Sequence, residues 1–387
     1  MKERLRDTDK GTKAALHREM LRLFCELGPL EHTEIARRLS VSESSVSRYY
    51  HRLLRGRIRF KPNVNRWALG LRRVVVRITF FPEFESSGKD ICVGLAQLAY
   101  LDYFGRLMPE NEWKLHFQVP FQHQGKLWEF LTKLEELQVL KVKDVYQTDV
   151  RVGAPFRHEY FDTQEMKFKF DWSSIKESSF VPDPSELYEQ KVPFDETDLR
   201  IVEAAQSETL KITEIARQTG LGKWTTYWHW RKHIARRIIK NWYVDWLGTW
   251  ILDQTDMRAM SRREFTVIDL FAKSLSSGEV KTLRQKLNSI PYLWSEMIGE
   301  SDIVEELFIP NESLADAFAF FCAFDETVKS KIVLRIEDQS KAINYTVPKN
   351  LYDARIGWTF DLEDVAGRFR NLAVQLRGNR LGHSGLV

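Results

Sequence analysis

The stretch Leu21–Leu53, LRLFCELGPLEHTEIARRLSVSESSVSRYYHRL, decides how the whole chain is read. Just upstream and into it, Leu16, Met20, Leu23, Phe24 and Leu27 share one face of a helix over Lys13–Leu27. A second, short helix over Thr33–Leu39 is capped by Thr33 or His32. Ser40-Val41-Ser42 makes the turn, and Ser42 is the N-cap of a third helix running to about Arg55. Two helices joined by so short a turn form a helix-turn-helix. Gly56–Trp67 then alternates Ile58 and Phe60 with Arg57, Arg59 and Lys61, the pattern of a wing.

The motif occurs twice. HTEIARRLSV (His32–Val41) returns as ITEIARQTGL (Ile212–Leu221), 180 residues later, with Leu21 matching Ile201 and Leu30 matching Leu210. Farther on, AYL (Ala99–Leu101) matches PYL (Pro291–Leu293), and Val119-Pro120 matches Ile309-Pro310. YFD and FDW (from Tyr160 and Phe170) match LYD and FDL (from Leu351 and Phe360). Because the matches keep one order, a single duplication explains the layout. The second helix-turn-helix falls at Asp195–Gln206, Thr213–Thr219 and Lys223–Arg237, with Gly220–Gly222 as its turn.

A β-α-β-β-α-β pattern follows each motif. The first copy runs Arg73–Phe80, Lys89–Ala99, Leu101–Met108, Lys114–Val119, Leu127–Leu137 and Leu140–Thr148. The second runs Phe265–Phe271, Glu279–Ile290, Leu293–Ile298, Ile303–Ile309, Leu314–Thr327 and Lys341–Val347. That order is ferredoxin-like. The expected fold is α+β, with two winged helix-turn-helix domains (1–70 and 195–256) alternating with two ferredoxin-like domains (71–175 and 257–387, the latter with a C-terminal extension). A Ser-, Pro- and Glu-rich linker occupies 176–194.

Bulk properties agree. At 387 residues the chain exceeds one ordinary core, and 43% hydrophobic with 12% aromatic content suits globular domains. No apolar run reaches the roughly 20 residues of a membrane helix, and the charged start MKERLRDTDK is unlike a signal peptide. Cys25, Cys92 and Cys322 lie far apart, which implies a reducing cytoplasm and no zinc ribbon. Net charge is only +4, yet Glu31–Arg73 holds eleven Lys and Arg against three Glu, and Lys211–Lys240 holds eight against one. Two basic islands on an acidic body are the footprint of phosphate binding.

The Leu21–Leu53 stretch, with the following LGLRRVVVRITF, resembles the Lrp/AsnC regulators, here tandemly duplicated and of an archaeal kind. The likeness covers roughly Thr12–Val150, weakens over Asp195–Val347 and is absent from the last twenty or so residues. It implies DNA binding by the helix-turn-helix, and a ferredoxin-like domain that oligomerises and often senses amino acids. Two departures stand out. Two units are fused, so one chain is expected to be a monomeric pseudo-dimer or to form a homodimer. The family's Gly-Asp-type turn is replaced by Pro109-Glu110-Asn111-Glu112 in the first half and approached only by Gly299-Glu300-Ser301-Asp302 in the second.

In the first recognition helix Val46, Tyr50 and Leu53 keep the inward spacing, leaving Glu43, Ser44, Ser45, Ser47, Arg48 and Arg52 outward. Small hydroxyls allow close approach to bases and Arg48 can chelate guanine, while Arg57, Arg59 and Lys61 would neutralise phosphates. The second helix, KWTTYWHWRKHIARR, points Thr226, Trp230 and His233 inward. Lys223, Trp224, Thr225, Tyr227, Trp228, Arg231 and Lys232 are its candidate contacts. That aromatic face suits DNA contact, docking of a general transcription factor or RNA polymerase, or internal packing.

No GxSxG, P-loop, HExxH or dinucleotide motif is present. The expectation is therefore a cytoplasmic, nucleoid-associated regulator of transcription bound to double-stranded DNA. It would have no enzymatic activity, metal, cofactor or membrane partner. The alternative is an enzyme of the same fold, such as the relative that decarboxylates a haem precursor.

Overall fold

The computed structural model describes residues 2–51, 59–154, 156–162, 167–175, 181, 188, 192–206, 211–245 and 265–383. Arg52, Arg57 and most of the expected linker lie outside them.

The first helix-turn-helix comprises α1 (Lys2–Leu27), α2 (His32–Leu39) and α3 (Glu43–Tyr49). Its core joins Met20, Leu23 and Phe24 of the apolar face read from the spacing, with Leu21 beside them, to Ile35, Ala36, Val46 and Tyr49; Tyr50, expected inward, is half-buried and Tyr49 takes the inner place. Ser40 ends α2 at φ 52°, a left-handed conformation, and Ser42 caps α3 by accepting a hydrogen bond from the Ser45 N–H. The second unit repeats this with α6 (Glu196–Gln206), α7 (Ile212–Thr219) and α8 (Lys223–His229), which continues as a π-helical turn over Trp230–Ile234. Gly220 takes the left-handed position of Ser40, at φ 67°. The strand expected as a first wing, β1 (Arg59–Val64), makes no hairpin of its own. It pairs antiparallel with β7 (Ile239–Asp245) of the second unit, Lys61 opposite Tyr243.

The first α/β unit is β2 (Leu71–Phe80), α4 (Gly88–Leu98), β3 (Leu101–Met108), β4 (Glu112–Pro120), α5 (Gln124–Glu136) and β5 (Leu140–Tyr146), prolonged by β6 (Val150–Gly153). The second is β8 (Phe265–Ala272), α9 (Ser277–Leu287), β9 (Leu293–Ile298), β10 (Ile303–Pro310), α10 (Leu314–Cys322) and β11 (Ile332–Asn344). Here β11 begins at Ile332 rather than Lys341, because IVLRIEDQS adds a half-buried strand to the edge of β8.

The nine strands of the two α/β units form one antiparallel sheet in the order β5-β2-β4-β3-β11-β8-β10-β9-β6. Each half has the ferredoxin-like order, and the halves exchange strands reciprocally. The first part of β11 pairs with β8 and its end with β3 of the other unit. In the same way β5 pairs with β2, while its continuation β6 pairs with β9. Bulges at Leu101/Tyr103 and at Leu293/Ser295 fall at equivalent places, which makes the pseudo-twofold relation explicit. The sheet curls so that its two halves face one another, with Val75, Leu107, Tyr146, Phe271, Met297 and Val304 meeting between them. Helices cover the outer faces. The C-terminal helix α11 (Leu362–His383), beyond the reach of the repeat, lays Val365, Ala366 and Phe369 on α4 and α5.

The crossover between β5 and β6 seats itself on the second unit. Asp302 accepts from the Gln147 N–H (3.0 Å) and the Ser274 N–H (3.1 Å). A Cβ on Gly299 would lie 1.7 Å from the Gln147 carbonyl oxygen. Both groups there are backbone, so nothing can rotate aside. Gly299→Ala should cost about 1–3 kcal/mol or more through overpacking, read as a lower urea midpoint at unchanged m-value. An unchanged midpoint would refute this seating of the crossover.

Candidate functional site

Two regions hold the chemistry-bearing residues. On the first recognition helix Glu43, Ser44 and Arg48 are exposed, and Ser45 and Ser47 are half-buried. Glu43 accepts the Thr33 hydroxyl at 3.0 Å, and the Ser42 hydroxyl contacts those of Ser44 and Ser45 at 2.9 and 2.8 Å. Arg59 and Lys61 belong to the β1–β7 ladder instead of a projecting wing. On the second helix Lys223, Trp224, Thr225, Tyr227, Trp228, Arg231 and Lys232 are exposed, while Thr226, His229 and Trp230 are buried. Trp224 is 79% exposed and Trp228 51%, so these rings do not pack under the α/β unit. Arg231 reaches Glu31 of the first unit at 3.5 Å, tying the two helix-turn-helix units together.

The second region is the interior between the two sheet halves. Lys114 of β4 is fully buried, with its Nζ 2.7 Å from Asp269 Oδ1, 2.8 Å from Glu306 Oε1 and 2.7 Å from Glu337 Oε2. Two residues along the strand, His116 faces Arg73 of β2, with Nδ1 3.0 Å from a guanidinium nitrogen. Arg73 in turn reaches Asp102 at 2.8 Å, and Arg66 approaches the same carboxylate at 3.3 Å. Arg151 of β6 lies 3.3 Å from Glu306. Tyr103 donates its hydroxyl to Glu337, and its ring lies against His116 with centroids 4.8 Å apart.

Not every polar atom there finds a partner. A guanidinium can only donate, so His116 Nδ1 is the acceptor and the imidazole proton sits on Nε2. Among the described residues that nitrogen has no hydrogen-bond partner, nor have Nε of Arg66 and of Arg73, Oδ1 of Asp102 or Oε1 of Gln118. Burial first, and Lys114 second, hold His116 well below its ordinary value, so the ring is neutral. Burial likewise pushes Arg66 down to about 9 and lowers Arg73. Burial opposes the Lys114 charge, but Asp269, Glu306 and Glu337 together hold it above its usual value. Against the same opposition, Lys114 and Arg151 hold Glu306 below the usual carboxylate range, while burial raises Asp269.

None of these interior residues was a candidate from the sequence. A signal existed: Arg73, Val75 and Arg77 alternate in LRRVVVRITF, and Lys114 and His116 alternate in EWKLHFQVP, so each set lies on one strand face. In an isolated α/β unit that face would meet water, where charge is ordinary.

No family model and no curated protein matches the chain. Among solved structures, that of the siroheme decarboxylase NirDL aligns over 93% of this chain and 99% of its own, at 10% identity and a TM-score of 0.48. The same protein in co-complex with an iron-uroporphyrin III analogue aligns over 92% and 98%, at 11% identity and a TM-score of 0.45. The leucine response regulatory protein LrpA of Mycobacterium tuberculosis aligns over 34% of this chain and 89% of its own, at 19% identity and a TM-score of 0.24. The expectation of a protein without enzymatic activity is withdrawn: the structures that align along nearly the whole chain bear the name of a decarboxylase.

A neutral, buried His116 makes stability depend on pH. Unfolded, it takes up a proton near pH 6.5; folded, it does so only far lower. Below about pH 6.5 the unfolded state therefore binds one more proton, and stability falls by roughly 1.4 kcal/mol per pH unit for this group, with nothing lost above pH 7. Urea midpoints at falling pH should drop less steeply in His116→Gln than in the parent. Equal slopes would mean that His116 protonates freely in the folded protein.

Proposed function

We propose that the chain is an enzyme that binds a polycarboxylate between its two α/β units and removes a carboxyl group from it. The observation that supports this reading is the set of buried donors without acceptors: His116 Nε2–H beside the Nε–H groups of Arg66 and Arg73. Buried polar groups are nearly always paired, so a cluster of unpaired donors suits an anionic ligand that supplies the acceptors. Arg66 and Arg73 would hold carboxylates that do not react. At the reacting group the C–C bond breaks, carbon dioxide leaves, and the electron pair left on carbon takes a proton relayed through His116. The absence of bulk water strengthens each of these interactions.

Siroheme, a tetrapyrrole bearing several carboxylates, is the first probe. Incubated with the protein without oxygen, it should lose carboxyl groups as carbon dioxide, read by mass spectrometry. Arg73→Gln should weaken siroheme binding by about 10- to 100-fold, the worth of one charge-assisted hydrogen bond. Neither binding nor carbon dioxide release would end this reading.

A second reading rests on a separate surface and is compatible with the first. The exposed Ser44 and Arg48 of α3, and the exposed rings of Trp224, Tyr227 and Trp228 on α8, suit contact with double-stranded DNA. Two such units in one chain form a pseudo-dimer for paired half-sites. Arg48→Ala should then cost about 1–3 kcal/mol of DNA affinity in a gel-shift titration. Unchanged affinity and sequence preference would refute it. Trp228→Ala tests the second helix: loss of DNA affinity supports contact, and intact affinity with reduced transcription in vitro supports docking of the transcription machinery.

A further inference from the structure

We infer that Asp198, His229 and His233 form a binding site for one divalent transition-metal ion of the zinc type, joining the second recognition helix to α6. Asp198 lies in the first turn of α6 and is fully buried. Its carboxylate is set in place by reciprocal capping. The Asp198 N–H donates to Asp195 Oδ1 at 2.9 Å, and the Asp195 N–H donates to Asp198 Oδ2 at 3.1 Å. His229 ends α8 and His233 follows in the π-helical turn. Their Nδ1 atoms each lie 2.8 Å from a different oxygen of Asp198. One carboxylate oxygen and two imidazole nitrogens thus converge, all within 4.8 Å of one another.

The donor set is right for the ion. Two imidazoles and a carboxylate suit zinc or cobalt and leave a fourth tetrahedral position open. Asp195 is placed to fill it, with Oδ1 4.0 Å from His229 Nδ1 and a side chain 56% exposed to the solvent from which an ion would enter. The π-helical turn is a second, independent mark, since such turns are rare and recur at functional sites. Trp228 sets its ring edge against both imidazoles, at centroid distances of 5.0 and 5.1 Å. An ion there would brace the helix that displays Trp224, Tyr227 and Trp228.

The contrast with the sheet interior supports the assignment. Asp269, Glu306 and Glu337 also converge, but the Lys114 ammonium lies among them and serves as their cation. Among the described residues, the Asp198 carboxylate meets the imidazoles of His229 and His233 and forms no ion pair with a lysine or arginine.

Full-length protein, stripped with a chelator and titrated with zinc by calorimetry, should take up one equivalent that His233→Gln weakens at least tenfold. Cobalt should give the visible absorption of a tetrahedral ion and quench tryptophan fluorescence, with the quenching reduced in Trp228→Phe. His233 is only half-buried, so its variant should keep the parent's circular dichroism. Lys232→Gln, exposed and adjacent, should bind zinc as the parent does. If the parent takes up no zinc, or if His229→Gln and His233→Gln both bind it unchanged, the three residues are a hydrogen-bonded core triad and the proposal falls.

Discussion

The Lys114 ammonium is the interaction on which the rest depends. Removing such a charge from water costs several kcal/mol, and only good geometry with enough opposite charge offsets it. Lys114 meets three carboxylates, and all three come from the second unit: Asp269 on β8, Glu306 on β10 and Glu337 on β11. Arg73 pairs with Asp102 of its own unit and Arg284 with Glu296 of its own, but the charge of Lys114 is met by acids of the other unit. The two halves of one chain are therefore obligatory partners.

Duplication followed by divergence accounts for that division. Aligned on Pro120 and Pro310, each at the end of its strand and facing the start of its unit's first strand, His116 corresponds to Glu306 and Val75 to Asp269. A symmetric pair would have placed like charges together across the pseudo-dyad, which a low-dielectric interior does not tolerate. With Lys114 in one copy facing Asp269, Glu306 and Glu337 of the other, the same geometry becomes attractive. It also leaves a single asymmetric interior, where Arg66, Arg73 and His116 keep unmatched donors on one side only.

Around this interior the remaining contacts set the halves in register. The reciprocal strand exchange of β6 and β11 covers the edges that β9 and β3 would otherwise leave open. Asp302 holds the β5–β6 crossover, and β1 with β7 joins the two helix-turn-helix units above the sheet. The two recognition helices are thus carried at a fixed separation by the charge-paired body. Their exposed faces have diverged as well, from the small polar surface of α3 to the aromatic surface of α8.

Much of the architecture was legible in the sequence because it is local. Apolar periodicity and the Ser40 and Gly220 turns specify the helix-turn-helix units. Alternation and turn residues specify most strands, and the repeat announces two copies. Inward Thr226 and Trp230 and outward Trp224 and Trp228 also follow from helical spacing alone. Three things were decided only in the tertiary structure. The would-be wing became the β1–β7 ladder, since its partner lies in the other unit, far along the chain. The C-terminal helix found its place on α4 and α5 through packing with no counterpart in the repeat. The charged strand faces of Arg73, Lys114 and His116 became an interior because the other half of the sheet covers them. Residue order reports which side of a strand a side chain occupies; whether that side meets water or another sheet depends on long-range association that periodicity does not encode.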